Sequence, residues 1–295
     1  MLHNPYKNSN HDKIFFLKRY LFKWDDEFCY NLTIVKVLKM SLSKENFPVI
    51  EFDDCLEGLI DPFTYQNKYG KLSGDKLIIS FFKEAIDKLI EEGKIKEHLI
   101  IPGENVIVIY KFVDEDIYLI HGAVGCPACG AALETLIGLG ITKVLFCGGG
   151  GVLDKNIKVG ELLLVTGAIR DDGLSYQYVP KSRIITSDEK VLSTMEIFLK
   201  NNNVQFLKGL VWTTDALYRE TRSRILARKE EGAKIVEMEQ AGCIAIAQFR
   251  HIKYGAIIYG GDDVSQEEWD HRDRSSRKGI RYSLILMLKE MIKTL

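Results

Sequence analysis

Two short acidic segments carry the side chains best suited to chemistry. Glu237 and Glu239 stand in VEMEQAG, directly before an apolar stretch, and Asp262 and Asp263 stand in GGDDVS, directly after another. A carboxylate buried in apolar surroundings is costly unless it accepts hydrogen bonds, so we expect one glutamate to point inward and the other to face solvent. Adjacent aspartates raise each other's pKa, which suits a general acid. A solvated helix end and a tight turn are the simpler interpretations of these two segments.

The segment GCPACG places Cys126 and Cys129 at the predicted start of a helix. A helix N-terminus lowers a thiol pKa, which would suit a redox pair, and two cysteines could supply half of a zinc site. The sequence contains no second pair of this kind, and Gly125 rather than an aromatic residue precedes the first thiol. We therefore favour a tight turn whose backbone N–H groups face a ligand, and we expect no bound metal.

Four consecutive glycines, at 148–151, follow the apolar run KVLFC. Glycine lets a backbone approach a ligand closely or adopt a positive φ, so Gly149 and Gly150 are candidate binding residues; a flexible loop is the alternative. The segment lacks the G-x-G-x-x-G pattern of dinucleotide sites and the lysine of a P-loop.

Apolar and amphipathic segments alternate along residues 75–295. DKLIISFFKEAIDKLIEEGKI is predicted to be a helix, as is the whole of KIVEMEQAGCIAIAQFRHI. The shorter apolar runs are predicted to be strands, which gives one α/β domain with a central mixed, largely parallel sheet. Turns that follow four of these strands, at 122–130, 148–151, 213–218 and 260–265, should converge into one pocket, because ligands bind at the carboxyl ends of strands in such sheets.

Composition narrows the class of protein. The chain has 295 residues, 46% of them hydrophobic, and a net charge of −1. It can bury a full core, shows no basic excess for nucleic acid, and has apolar runs too short for a membrane span. Six cysteines in a chain of this size do not suggest a secreted disulfide framework, so we expect a cytoplasmic protein. Residues 1–39 are predicted to be an extension outside the fold, with an amphipathic surface-binding segment as the alternative, and 40–295 to be a single domain.

Several segments together resemble the nucleoside phosphorylase family, which holds purine nucleoside phosphorylase, uridine phosphorylase and the methylthioadenosine nucleosidases. The resemblance runs in order over about residues 105–265, through the glycine turns, VGELLLVTGAIRDDG, TTDALY, VEMEQAG and GGDD. It implies a three-layer α/β/α sandwich, a homo-oligomer (a dimer or a hexamer), and a nucleoside as the small-molecule partner. It implies no cofactor, with phosphate as a possible co-substrate.

The resemblance also implies roles for single residues. Glu239 would take the sugar hydroxyls, and Asp262 would protonate a purine ring, which favours a purine-type base over uridine. An acid beside the departing base and a carboxylate on the sugar suit cleavage of an N-glycosidic bond, because opposite charges develop on the two parts. Leu217 stands where relatives place a stacking phenylalanine. The implied substrate-binding set is Met238, Glu237, Gly125, Gly149, Gly150, Asp215, Leu217 and Tyr218.

The family's phosphate ligands are missing from the pattern. VIEFDDCLEGLIDP stands where relatives have an arginine turn after the first strand, Phe146 stands in place of a second arginine, and Gly149 in place of a hydroxyl residue. Acidic residues near a phosphate dianion repel it. By family majority we expect a phosphorylase that releases a free base and ribose 1-phosphate. A nucleosidase that uses water, with Glu57 as a candidate base, is the alternative, and a non-catalytic nucleoside-binding protein is the third interpretation.

Overall fold

The sheet begins inside a segment that was predicted to be entirely helical. The computed structural model describes residues 42–273 and 277–295. Leu77, Ile78 and Ile79 are all fully buried, which is typical of a strand covered on both faces rather than of an amphipathic helix. The strand spans Lys76–Ser80 and the following helix only Lys83–Glu91, so the prediction of a single helix here is wrong.

Within the described residues the chain forms ten strands and seven α-helices. The strands are β1 Lys76–Ser80, β2 Ile95–Ile101, β3 Ile107–Phe112, β4 Ile117–His121, β5 Lys143–Val152, β6 Leu162–Asp171, β7 Ile184–Thr186, β8 Phe206–Thr214, β9 Ala233–Glu237 and β10 Lys253–Asp263. The helices are α1 Tyr65–Tyr69, α2 Lys83–Glu91, α3 Cys126–Gly138, α4 Glu189–Asn201, α5 Arg222–Glu230, α6 Gln240–Arg250 and α7 Arg277–Met291.

All the strands belong to one sheet, in the order β10-β6-β8-β9-β5-β1-β4-β3-β2, with β7 beside β6. Strand β5 also pairs with β10, so β5, β10, β6, β8 and β9 close into a ring. Of the pairings among described strands, β1–β4, β1–β5, β5–β10, β6–β8 and β8–β9 are parallel and the others antiparallel. The mixed α/β sheet is confirmed, and the parallel pairings include those that join β4, β1, β5 and β10.

Helices pack on both faces of the sheet, because alternate residues of a strand point to opposite sides. Leu77 and Ile79 join the apolar core that α3 and α6 cover. Ile78 joins a second core, which α2, α4 and α7 cover. The two cores fix β1, β5 and β10 in the middle of the molecule and leave their carboxyl ends free to shape a site.

The segment KIVE is also part of a strand rather than the start of a long helix. Residues 233–237 form β9, and α6 begins only at Gln240. Residues 42–295 form one compact unit, and the predicted extension at 1–39 lies outside the described residues. In the described part of the chain, no helix is both long enough and apolar enough to cross a bilayer.

Candidate active site

The four turns that were predicted to converge all border one cavity of about 220 Å³. Val124 comes from the turn after β4, Leu217 from the turn after β8, and Asp262 from the end of β10. The glycines 148–151 border it as well, but they belong to β5 itself rather than to a loop. The turn after β1 adds Phe81, so the cavity lies at the carboxyl ends of the central strands, where ligands of α/β sheets bind.

Side chains at 149 and 150 would collide with the neighbouring strands. A Cβ on Gly149 would lie 2.6 Å from the ring of Tyr259 on β10, and one on Gly150 would clash with the carbonyl oxygen of Val236 on β9. Glycine is therefore required here for β5 to pair with β10 and β9, and the same bare backbone forms the floor of the cavity.

Glu239 joins two motifs that are far apart in sequence. It is only 7% exposed, and its Oε1 accepts a hydrogen bond of 2.6 Å from the backbone N–H of Gly125. Gly125 has φ of 94°, a conformation that favours glycine. The N–H group that was expected to face a ligand thus holds the carboxylate that borders the cavity. Burial raises the pKa of Glu239.

Glu237 supports the turn that carries Glu239. Its Oε2 accepts from the backbone N–H groups of Glu239 at 2.7 Å and Gln240 at 2.8 Å, at the start of α6, and Thr213 donates its hydroxyl to Oε1. Burial, and next the charge of Glu239, raise the pKa of Glu237, while these three donors oppose the rise. Both glutamates are buried; the expectation that one faces solvent is wrong, because Glu237 finds its partners inside the protein.

Asp262 borders the same cavity as Glu239 and is held by a residue that does not border it. Its Oδ2 accepts a hydrogen bond of 2.7 Å from the indole N–H of Trp269. Asp263, by contrast, is buried against Arg272 at 3.0 Å and accepts from the N–H of Ser265. Although burial alone would raise its pKa, the hydrogen bonds from these partners lower it. The prediction of a mutually raised aspartate pair is therefore wrong.

Glu220 is a cavity residue that the sequence analysis missed. It follows TTDALY in the turn after β8 and borders the cavity together with Asp262. Burial raises its pKa to about 7, and the charge of Asp262 adds to the rise. The only signal in the sequence is an acid placed just beyond a strand's carboxyl end. The charge of Asp262 thus raises the pKa of Glu220, rather than the pKa of the adjacent Asp263.

Three predicted binding residues do not border the cavity: Gly125, which instead holds Glu239, and Asp215 and Tyr218. Asp215 is exposed, and its Oδ2 accepts a hydrogen bond of 2.8 Å from the N–H of Gly173. Although Asp215 does not border the cavity, its charge contributes to the raised pKa of Glu239. Tyr218 is 95% exposed and borders an adjoining cavity instead. Met238 and Leu217 both border the main cavity.

The thiols of GCPACG show no feature of a redox pair. The Sγ of Cys129 lies 3.7 Å from that of Cys243 on α6, and both thiols are free. Burial raises the pKa of Cys126 far above its usual range, which is opposite to the activation expected at an exposed helix start.

The wall expected to bind phosphate is apolar. In the part of the chain that the structure describes, the first strand is β1, so the turn after it is Phe81-Phe82. The expected match to VIEFDDCLEGLIDP is wrong because that segment precedes β1. The rings of Phe81 and Phe146 lie 5.1 Å apart at the cavity. Glu57 is exposed and does not border it. Among the described residues that border the cavity, none is lysine or arginine.

Comparison with known proteins identifies the family that shares this architecture. The family model for the phosphorylase superfamily matches residues 75–286, which is more than half of the chain. The chain belongs to the phosphorylase superfamily. This confirms the family seen in the sequence motifs and extends the match back to β1, the strand that the motif comparison had missed.

Relatives within the phosphorylase superfamily are distant. The guanosine phosphorylase of Halorubrum lacusprofundi is 26% identical over 191 residues, 57% of this chain and 79% of that protein. The purine nucleoside phosphorylase of Toxoplasma gondii, in complex with immucillin-H, superimposes with a TM-score of 0.64 at 19% identity, over 74% of this chain and 90% of that one. Native futalosine hydrolase of Helicobacter pylori gives 0.61 at 21%, over 74% and 97%. Three other curated relatives are matched over 57% to 62% of their lengths.

Proposed function

We propose that the protein hydrolyses the N-glycosidic bond of a purine-type nucleoside, with water rather than phosphate as the acceptor of the sugar. Membership of the phosphorylase superfamily supports cleavage of a nucleoside's glycosidic bond in general. The observation that carries the choice of acceptor is the cavity lining, which in the described residues combines carboxylates with phenylalanines and no cationic side chain.

The positions of the acids suggest how the substrate lies. One carboxylate oxygen of Glu239 accepts a hydrogen bond from the N–H of Gly125. The remaining lone pairs of the carboxylate can accept hydrogen bonds from the ribose hydroxyls. Met238 lies beside it on the cavity wall. The base then points toward Asp262 and Glu220, at the mouth formed by Leu217.

In this pose each acid meets the charge that develops near it. As the bond between C1′ and the base nitrogen breaks, its electron pair leaves with the base, and the sugar becomes cationic. Glu239 stabilises that cation through the hydroxyls. Glu220, whose pKa is raised to about 7, retains a proton near neutrality, and the Glu220–Asp262 pair delivers it to the base. A water oxygen bonds to C1′ and loses its proton to solvent, which leaves free ribose.

Electrostatics disfavours phosphate as the acceptor. Two unit charges about 4 Å apart interact by roughly 4 kcal/mol at an effective dielectric constant of 20. A phosphate dianion near an ionised Glu239 would suffer this repulsion, with no described lysine or arginine at the cavity wall to offset it. Water, which is neutral, is not repelled, and the wall of Phe81 and Phe146 only limits its access.

Phosphorolysis is the second candidate, because the guanosine phosphorylase among the relatives is named for that reaction. The glycine backbone of residues 148–151 could donate N–H groups to an anion, and a neighbouring copy of the chain could bring cations. A homo-oligomer, dimeric or hexameric, and a cytoplasmic location stay predictions.

The test is release of base from a panel of nucleosides. Inosine, adenosine, guanosine and uridine are incubated with the phosphate-free protein, with and without added phosphate, and free base is followed by chromatography. We expect release of a purine base without phosphate. Release only with phosphate would establish phosphorolysis instead. No release from any nucleoside, together with measurable binding by calorimetry, would identify a nucleoside-binding protein.

A further inference from the structure

A second cavity, of about 370 Å³, adjoins the candidate active site. The two cavities share Leu217, Glu220 and Asp262, the residues placed around the base. A group attached to a base in the first cavity would therefore lie next to the second, with only these three side chains between them. The second cavity is larger than the first, so it has room for more than a small substituent.

The walls of the second cavity are mainly apolar. Ile225 of α5 and Val264 after β10 form its inner side, and the aromatic rings of Tyr218 and Trp269 stand at its rim. These rings are 95% and 58% exposed, a condition that large apolar side chains adopt around binding sites. Trp269 is tied to the active site, since its indole N–H donates to Asp262.

The charges around this second cavity disfavour an anionic guest. Glu220, Asp262 and Glu267 all border it. Its one described cation, Arg222, already donates to the carbonyl oxygens of Ser265, at 2.6 Å, and Gln266, at 3.2 Å. An uncharged group would not bring an unpaired charge into the cavity, and the three carboxylates would not repel it.

We propose that the preferred substrates are nucleosides whose base carries a bulky, uncharged, apolar substituent, which occupies this second cavity. The inference rests on the proposed function for the placement of the base, and adds the class of base to it. Trp269 then has two roles: its N–H fixes Asp262, and its ring covers the substituent. Contact of that ring with an aromatic or branched group gives the enzyme a means to select substituted bases over plain ones.

The experiment compares matched substrate pairs on the full chain: adenosine with N6-benzyladenosine, and guanosine with N2-benzylguanosine. We expect kcat/KM for the benzyl compound to exceed that for its parent by about tenfold or more in at least one pair, since hydrophobic pockets discriminate by roughly 10- to 200-fold for small apolar groups. If the parents are cleaved and neither benzyl compound is preferred, the inference is overturned while the proposed function stands. If nothing is cleaved, the proposed function fails, and the ratio of the dissociation constants for each pair, measured by calorimetry, decides the inference alone.

Filling the cavity provides the matched control. Glu267 and Glu268 are adjacent and both exposed, but only Glu267 borders the second cavity. We expect Glu267→Trp to reduce the preference for the benzyl compound to about one, and Glu268→Trp to leave it unchanged. Equal effects of the two variants, or no effect of Glu267→Trp, would show that the substituent does not bind here.

Discussion

Replacing Glu239 with glutamine should lower turnover of a ribonucleoside while leaving the fold intact. Gly125 can donate its N–H to the amide oxygen of the glutamine, so the bond that positions residue 239 survives. What disappears is the negative charge. A hydrogen bond to a charged group contributes about 1.5–3 kcal/mol, so each ribose hydroxyl that depends on the charge should account for roughly a 10- to 150-fold loss in kcat/KM.

The assay is steady-state release of base from a ribonucleoside and from its 2′-deoxy and 3′-deoxy analogues. If Glu239 binds the hydroxyls, the variant should lose less activity on an analogue that lacks one of them than on the parent. Glu268→Gln, at an exposed position away from the cavity, is the matched control. Equal losses on all three substrates would refute the placement of the sugar at Glu239, and unfolding of the variant at a lower denaturant concentration would show that the charge has a structural role instead.

Three further predictions follow from the site. The reaction needs Glu239 ionised and Glu220 protonated, and burial raises the pKa of each to about 7. The rate of base release should therefore pass through a maximum near pH 7 in a pH–rate profile, and Glu220→Gln should remove the fall on its alkaline side. Since the folded pKa of Glu220 lies above the ordinary 4.5, the free energy of unfolding should fall as the pH rises from about 4.5 to 7, by less in Glu220→Gln, as measured by urea titration. Gly125→Ala and Gly93→Ala both place alanine at positive φ, 94° and 67°, and should each destabilise the protein by about 1–3 kcal/mol; only Gly125→Ala should also lower kcat/KM, because it displaces Glu239. Loss of stability without that difference in activity would remove Gly125 from the site.

The motifs at the carboxyl ends of strands could be predicted from the sequence because residue type and position coincide there. VEMEQAG, GGDD and the glycine run each lie at the carboxyl end of an apolar strand, and the sheet brings them to one edge. Glu239 and Asp262 accordingly border the same cavity, as their order in the chain suggested.

What the sequence could not reveal depends on three-dimensional pairing. In β1, four consecutive buried residues are followed by an amphipathic helix, and the helical spacing of that helix concealed the strand. The interpretation of Glu237 failed for a similar reason: its partners are the N–H groups of α6 and the hydroxyl of Thr213, and the last of these is distant in sequence. Glu220 stands in no recognisable motif, and only its burial beside Asp262 marks it as a titrating group.

The proposed reaction depends most on whether water or phosphate accepts the sugar. The decisive measurement is the identity of the sugar product, by mass spectrometry, when the purine nucleoside that is cleaved best is turned over in the presence of millimolar phosphate. We expect free ribose, formed at a rate that does not change as phosphate is added. Ribose 1-phosphate as the product, formed at a rate that saturates with phosphate, would contradict the conclusion drawn from the carboxylates and phenylalanines of the cavity.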